Sequence, residues 1–150
     1  MISIKVLIDA DGCPVTDIAI RVCRECQVPC VLLCDTAHEF HRVGAETLIF
    51  DKGADSVDYA LVNRVTKEDL AVTQDYGLAS MCLAKGCRVL NQDGWEYSLD
   101  NIDALLLVRH ESRKHRASGG RFKGPKKRTG QQDQTFEAAL RAILQTSVQG

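Results

Sequence analysis

The chain has 150 residues, 45% of them hydrophobic and 26% charged, with a net charge of −1, which is enough apolar material for one soluble domain and excludes a disordered or fibrous chain. The longest apolar run, Ala104–Val108, falls far short of the about 20 residues that span a bilayer. Asp9 and Asp11 interrupt the apolar start where a signal peptide would need its hydrophobic stretch, so no membrane association and a cytoplasmic location are expected.

In chain order, Ile4–Ile8 is a short apolar run that leads into Asp9-Ala10-Asp11. Pro14–Cys26 reads as a helix. Val15, Ile18, Ala19, Val22, Cys23 and Cys26 recur on one face, and Pro14 suits a first turn, where a missing N–H does no harm. Val28–Cys34 is a second strand, followed by a polar loop holding His38, Glu39 and His41 and then a third strand at Thr47–Phe50. His38 and His41 have HxxH spacing but no evident third ligand, so they are read as surface residues. A helix is predicted from about Asp55 to Val65, a strand at Leu70–Thr73, and a helix at Tyr76–Lys85 closed by Gly86 as its left-handed C′ residue. Arg88–Leu90 is a last short strand, after which Trp95 and Tyr97 are expected to cover the sheet edge. Ile102, Leu105 and Leu106 mark another helix, and Phe136, Leu140, Ile143 and Leu144 mark a C-terminal one at about residues 132–146. Strands alternating with helices predict an α/β fold. It should be a single Rossmann-like, three-layer domain over residues 1–150, with a mainly parallel sheet flanked by helices.

The seven cysteines are read as core. Cys23-x-x-Cys26 has the spacing of a zinc or redox motif, but both residues fall on the apolar helix face and no second CxxC accompanies them. An odd number of inward-facing thiols suits a reducing compartment.

The near-zero net charge conceals a division. Residues 109–128 carry nine Lys or Arg (Arg109, Arg113, Lys114, Arg116, Arg121, Lys123, Lys126, Lys127 and Arg128) against the single acid Glu111, a net +8. The other 130 residues hold ten basic and nineteen acidic residues, a net −9. A Gly- and Pro-containing basic loop on an acidic body points to contact with a polyanion. Its one aromatic residue, Phe122, gives little for bases to stack on, so contact with backbone phosphates is expected.

Ligands of open parallel sheets bind beyond the carboxyl ends of the strands, where the strand order switches. Asp9 and Asp11 follow one predicted strand and Asp75 follows another. Each could simply cap the next helix. Asp58 is harder to dismiss, because it shares a helical stripe with Ala54, Leu61, Val62 and Val65, and an inward carboxylate without a partner is costly. Asp9, Asp11, Asp58 and Asp75, with Asp55 a turn before Asp58, are therefore expected to share a Mg2+ or Mn2+ ion. Thr73 and Asn91 stand behind them as supporting hydrogen-bond donors, and His110 as a proton donor. Such a site beside a basic loop suits phosphodiester hydrolysis of RNA or DNA.

Several separate motifs carry a resemblance. Ile8-Asp9-Ala-Asp11-Gly-Cys-Pro14-Val15, Gly53-Ala-Asp55-Ser-Val-Asp58, Val72-Thr-Gln-Asp75-Tyr-Gly-Leu-Ala79, Lys85-Gly86 with Val89-Leu90-Asn91, Asn101-Ile102 and Gly119-Gly-Arg-Phe-Lys-Gly124-Pro125 together resemble the uncharacterised bacterial YaiI/YqxD family over nearly the whole chain. Gly12 departs from it, standing where a small residue, commonly alanine, is expected. That family is similar in outline to PIN-domain nucleases, and Asp9, Asp58 and Asp75 match the places of their acids. The resemblance implies a PIN-like fold and catalytic roles for these three in Mg2+- or Mn2+-dependent nuclease chemistry.

Two rivals remain. Leu7-Ile-Asp9-Ala-Asp11-Gly12 also looks like the start of a haloacid-dehalogenase-type phosphatase, in which Asp9 would be the nucleophile and Asp11 the acid/base. A non-catalytic nucleic-acid-binding protein with a structural ion is the other. The oligomeric state is open.

Overall fold

The computed structural model describes residues 4–35, 42–51, 56–107 and 127–149. Five strands, β1 (Val6–Asp9), β2 (Cys30–Asp35), β3 (Glu46–Phe50), β4 (Leu70–Val72) and β5 (Arg88–Leu90), form one sheet in the order β3-β2-β1-β4-β5. Every pairing is parallel, so all five carboxyl ends lie along one edge. The helices are α1 (Thr16–Glu25), α2 (Ser56–Arg64), α3 (Tyr76–Ala84), α4 (residues 99–107) and α5 (Gly130–Gln149). Among the described residues no helix is long and apolar enough to cross a membrane.

Alternation along the strands builds two cores. Val6 and Ile8 of β1, with Leu32 of β2 and Val72 of β4, face α1 and α5. Leu7, Leu33 and Ala71 face α2, α3 and Ile102 of α4. The α/β, three-layer expectation therefore holds, and its near-continuous apolar strands are what a sheet covered on both faces requires. α5 is fastened to α1 by Phe136, Leu140 and Leu144 in the core and by an exposed ion-pair ladder in which Arg21 meets Glu137 and Arg141 meets both Glu137 and Glu25.

Helix ends explain where the predicted boundaries move. α1 starts at Thr16, because Val15 is the N-cap, with φ −114° and ψ 15°; Pro14 lies in the preceding turn, outside the helix. At the other end Gln27 takes φ 58°, and Val28 N–H returns to the Cys23 carbonyl at 2.8 Å. Cys26 is thus the C-cap of α1, partly buried and packed against the core on the expected side, though less enclosed than Cys23. α3 ends as predicted, with Gly86 at φ 83° and bonds from Gly86 to Leu83 and from Cys87 to Cys82. Five of the seven cysteines are buried and all are free. Burial pushes the Cys82 and Cys87 thiols up to about 12 and about 11, and contact with Cys30, followed by burial, holds Cys23 well above its ordinary value. These are inert core groups.

Asp69, unremarked in the sequence, closes the opposite edge of the sheet. Its carboxylate accepts from Lys5 N, Lys5 Nζ, Thr66 N and Thr66 Oγ1 while the residue is only 2% exposed. Asp69→Ala would strand two backbone amides and is expected to lower unfolding free energy by about 3 kcal/mol in urea titrations. Lys5→Met, whose ammonium is at the surface, should cost less than about 1 kcal/mol.

Candidate active site at the strand switch

From β1 the chain crosses to β2 on one side, and β4 lies on the other. The crevice beyond β1 and β4 is therefore the switch point where ligands of open parallel sheets bind. One step past the Ile8–Val72 pair, Asp9 and Thr73 stand side by side, on the face that carries α2 and α3. Thr73 Oγ1 donates to Asp9 Oδ2 at 2.9 Å and accepts from Asp75 N–H at 3.0 Å. Among the described residues no donor reaches Asp9 Oδ1, and no Lys or Arg pairs with this carboxylate. The two loops at the crevice are tied by Gln74 Nε2, which donates to the Gly12 carbonyl at 3.1 Å. Gly12 has φ 70°, a conformation in which the alanine common in the resemblance would be strained by about 1 kcal/mol.

Burial pushes the Asp9 carboxyl up to about 7. The Thr73 bond pulls it down, and the charges of Asp58, Asp11 and Asp75 push it up again. Acids from three separate stretches of chain thus act on Asp9, although among the described residues they do not form one chelate. Asp75 Oδ1 caps α3 by accepting from Gly77 N at 2.8 Å and Leu78 N at 3.3 Å. Asp11 accepts from Asp35 N at 3.2 Å, beside the end of β2, and does not cap α1, whose N-cap makes no side-chain bond. Asp58 lies half-buried in the first turn of α2. Among the described residues no group of three or more His, Cys, Asp or Glu is close enough to hold an ion directly. A Mg2+ ion fits such a place when one or two carboxylates bind it and waters complete its shell, the usual arrangement for this ion. Asp9, with one oxygen unengaged and no counter-cation among the described residues, is the residue suited to direct contact.

Asn91 is buried beyond β5, but its amide reaches Tyr97 Oη at 2.9 Å rather than an acid. Arg128 is committed to protein partners: it meets Asp93 at 2.7 Å, Asp133 at 2.6 Å and the Gln92 carbonyl, where a phosphate contact was expected. Lys127 is exposed. Asp55, His38, Glu39, His41, His110 and the cations Arg109, Arg113, Lys114, Arg116, Arg121, Lys123 and Lys126 lie outside the described residues. Sequence reasoning missed the Asp35 amide that receives Asp11 and the part taken by Tyr97. No spacing signals either, since both depend on which strands are neighbours.

Residues 7–146 match the model of a family described as uncharacterised, YaiI/YqxD. Among curated relatives, a UPF0178 protein of Exiguobacterium sibiricum is 49% identical over 93% of this chain and 96% of its own length. Others from Clostridium acetobutylicum and Ruminiclostridium cellulolyticum are 45% and 42% identical, covering 93% and 97% of this chain and 96% and 95% of theirs. No solved structure matches.

The raised Asp9 carboxyl carries a pH dependence. Between its unfolded value near 3.8 and its folded value of about 7, the native protein holds a proton that the unfolded chain has lost. In metal-free buffer the Asp9 contribution is therefore fully present below pH 4 and is lost as pH rises through 7. Asp9→Asn should remove this fall and make the protein more stable than wild type at pH 8, by about 3 kcal/mol, with the gap closing toward pH 4 in urea titrations.

Proposed function

The chain belongs to the YaiI/YqxD family, and we propose that it is a divalent-metal-dependent nuclease that hydrolyses phosphodiesters of RNA or DNA beyond the carboxyl ends of β1 and β4. Asp9 carries this reading. It is a buried carboxylate at the switch point, its carboxyl raised to about 7 with Asp58, Asp11 and Asp75 adding to the shift, and no described cation pairs with it. At neutral pH such a group is poised between its neutral and anionic forms, and a cation beside it would favour the anion; oxygen-seeking Mg2+ or Mn2+ suits it.

A bound ion would supply a water of lowered pKa and positive charge to meet that developing on the phosphate. Asp9 is the residue to hold the ion, with Oδ2 fixed by Thr73 and Oδ1 directed to the ligand. Asp58, from α2, and Asp75, from the turn before α3, add the negative potential that favours a dication over a proton at Asp9. The acidic surroundings would repel a polyanion, so phosphate contact falls to the basic stretch of residues 109–127, whose eight Lys and Arg exclude the internally paired Arg128. Its cations would offset that repulsion and hold the substrate by its backbone.

The phosphatase reading asks for a strand-end hydroxyl near Asp9, which Thr73 supplies, and for a lysine on that carboxylate, which the described residues lack. Beryllium fluoride separates the two readings, since it traps a phosphoaspartyl enzyme on Asp9 and leaves a nuclease unmodified.

With Mn2+ and fluorescent single-stranded RNA or DNA, the wild type should cleave and Asp9→Asn should lose at least about 100-fold in rate, while binding of the same oligonucleotide without metal stays within about twofold. Equal cleavage by the two proteins, or binding with no cleavage of any nucleic acid, would overturn the nuclease reading. Replacing Lys126 and Lys127 by alanine should weaken binding to all sequences and flatten the slope of log affinity against log salt by about 2. An unchanged slope removes these residues from the interface.

A further inference from the structure

Tyr97 is a 2% exposed phenol packed edge-on between Trp95 and Tyr76, with ring centroids 4.6 and 6.0 Å away. Packing alone would be served by phenylalanine. A buried hydroxyl is tolerated only when its hydrogen bonds are made, and this one makes two. Asn91 Nδ2 donates to Tyr97 Oη at 2.9 Å, and Tyr97 Oη donates to the Thr73 carbonyl at 3.2 Å. Asn91 is itself pinned: its Oδ1 accepts from Asp93 N and its own N–H donates to the Trp95 carbonyl, both at 2.9 Å.

The place where this chain of bonds ends matters. The ladder between β4 and β5 stops at the Val72–Leu90 pair, with Thr73 N–H to the Leu90 carbonyl as its last rung. Beyond that rung the Thr73 carbonyl has no strand partner, and Tyr97 is what holds the chain as it leaves β4. The residue held there is the one whose hydroxyl fixes Asp9 Oδ2 and receives the Asp75 amide.

We infer that Tyr97 is a positioning residue for the metal-binding carboxylate, acting through Thr73 along the relay Asn91–Tyr97–Thr73–Asp9. This rests on the metal-dependent reading of the site given above. Burial raises the Tyr97 phenol to about 12, with the Asn91 bond opposing, so it remains a neutral donor across the working pH range. Groups that orient a metal ligand from behind commonly change metal affinity by 10- to 100-fold when removed, whereas an edge-covering aromatic would change only stability.

Mn2+ titration by calorimetry, run alongside thermal melts, tests this in wild type, Tyr97→Phe, Thr73→Val and the double variant. Tyr97→Phe keeps the ring and should weaken Mn2+ binding about tenfold. Because Tyr97 acts through Thr73, the double variant should bind no more weakly than Thr73→Val alone. Mn2+ affinity of Tyr97→Phe within twofold of wild type, or losses that multiply in the double variant, would overturn the relay while leaving the metal site standing. Absence of Mn2+ uptake by the wild type would instead bring down the reading of the site and the relay together. Should Tyr97→Phe fail to fold, Thr73→Val against wild type decides the Thr73–Asp9 link, and unchanged Mn2+ affinity there is also fatal to the relay.

Discussion

The all-parallel sheet with β1 at its centre is the constraint from which the rest follows. Parallel neighbours must each be reached by a return crossing, so every strand delivers its carboxyl end to the same edge. Because β2 and β4 lie on opposite sides of β1, the chain leaves β1 in one direction and the loop after β4 arrives from the other. Asp9 and Thr73 are the first residues past the paired ladder, and the about 4.8 Å spacing of adjacent strands brings them to hydrogen-bond distance. Alternation then sets which helices they meet. Leu7 faces α2 and α3, so Asp9, two residues on, faces them too, and the acids of those helices reach it.

Electrostatics makes this arrangement expensive without a ligand. Burial and the charges of Asp58, Asp11 and Asp75 all raise the Asp9 carboxyl, so each neighbouring anion adds to the cost of ionising it. Asp75 is partly compensated by the two α3 amides that it caps, and Asp11 by the Asp35 amide. Asp9 has one neutral hydroxyl. Among the described residues, Asp9 is therefore the carboxylate with the least to offset its charge relative to Asp75 and Asp11.

Periodicity was enough to read most of the element order, because the core strands are nearly pure Val, Leu, Ile and Cys and α1 carries a clear stripe, whereas α3 is apolar nearly all round and is bounded instead by Asp75 and Gly86. Asp58 could be located because it interrupts such a stripe. What periodicity could not convey is the partner of each polar group. Asp11 looks like a helix cap, yet Pro14 and Val15 occupy the turn where α1 would need one, and Asp11 turns to β2 instead. Arg128 sits in a run of cations, yet Asp93, 35 residues before it, and Asp133, in the first turn of α5, take its guanidinium. Tyr97 reads as an aromatic cover, and its hydroxyl acquires meaning only once β5 is known to lie beside β4.

Asp69 offers an internal comparison for Asp9. Both are aspartates adjoining central strands with little exposure, one before β4 at the amino edge of the sheet and one at the end of β1 at the carboxyl edge. Asp69 accepts four hydrogen bonds, one of them from a lysine ammonium. Asp9 accepts one from a neutral hydroxyl and has three acids near it. The same fold, from the same chain, can evidently satisfy a buried carboxylate in full where that carboxylate only joins elements together. Leaving the other under-satisfied costs stability that a structural role would not require. The difference between these two aspartates, more than the presence of acids in general, is what favours the β1–β4 edge over the edge opposite as the place for a ligand.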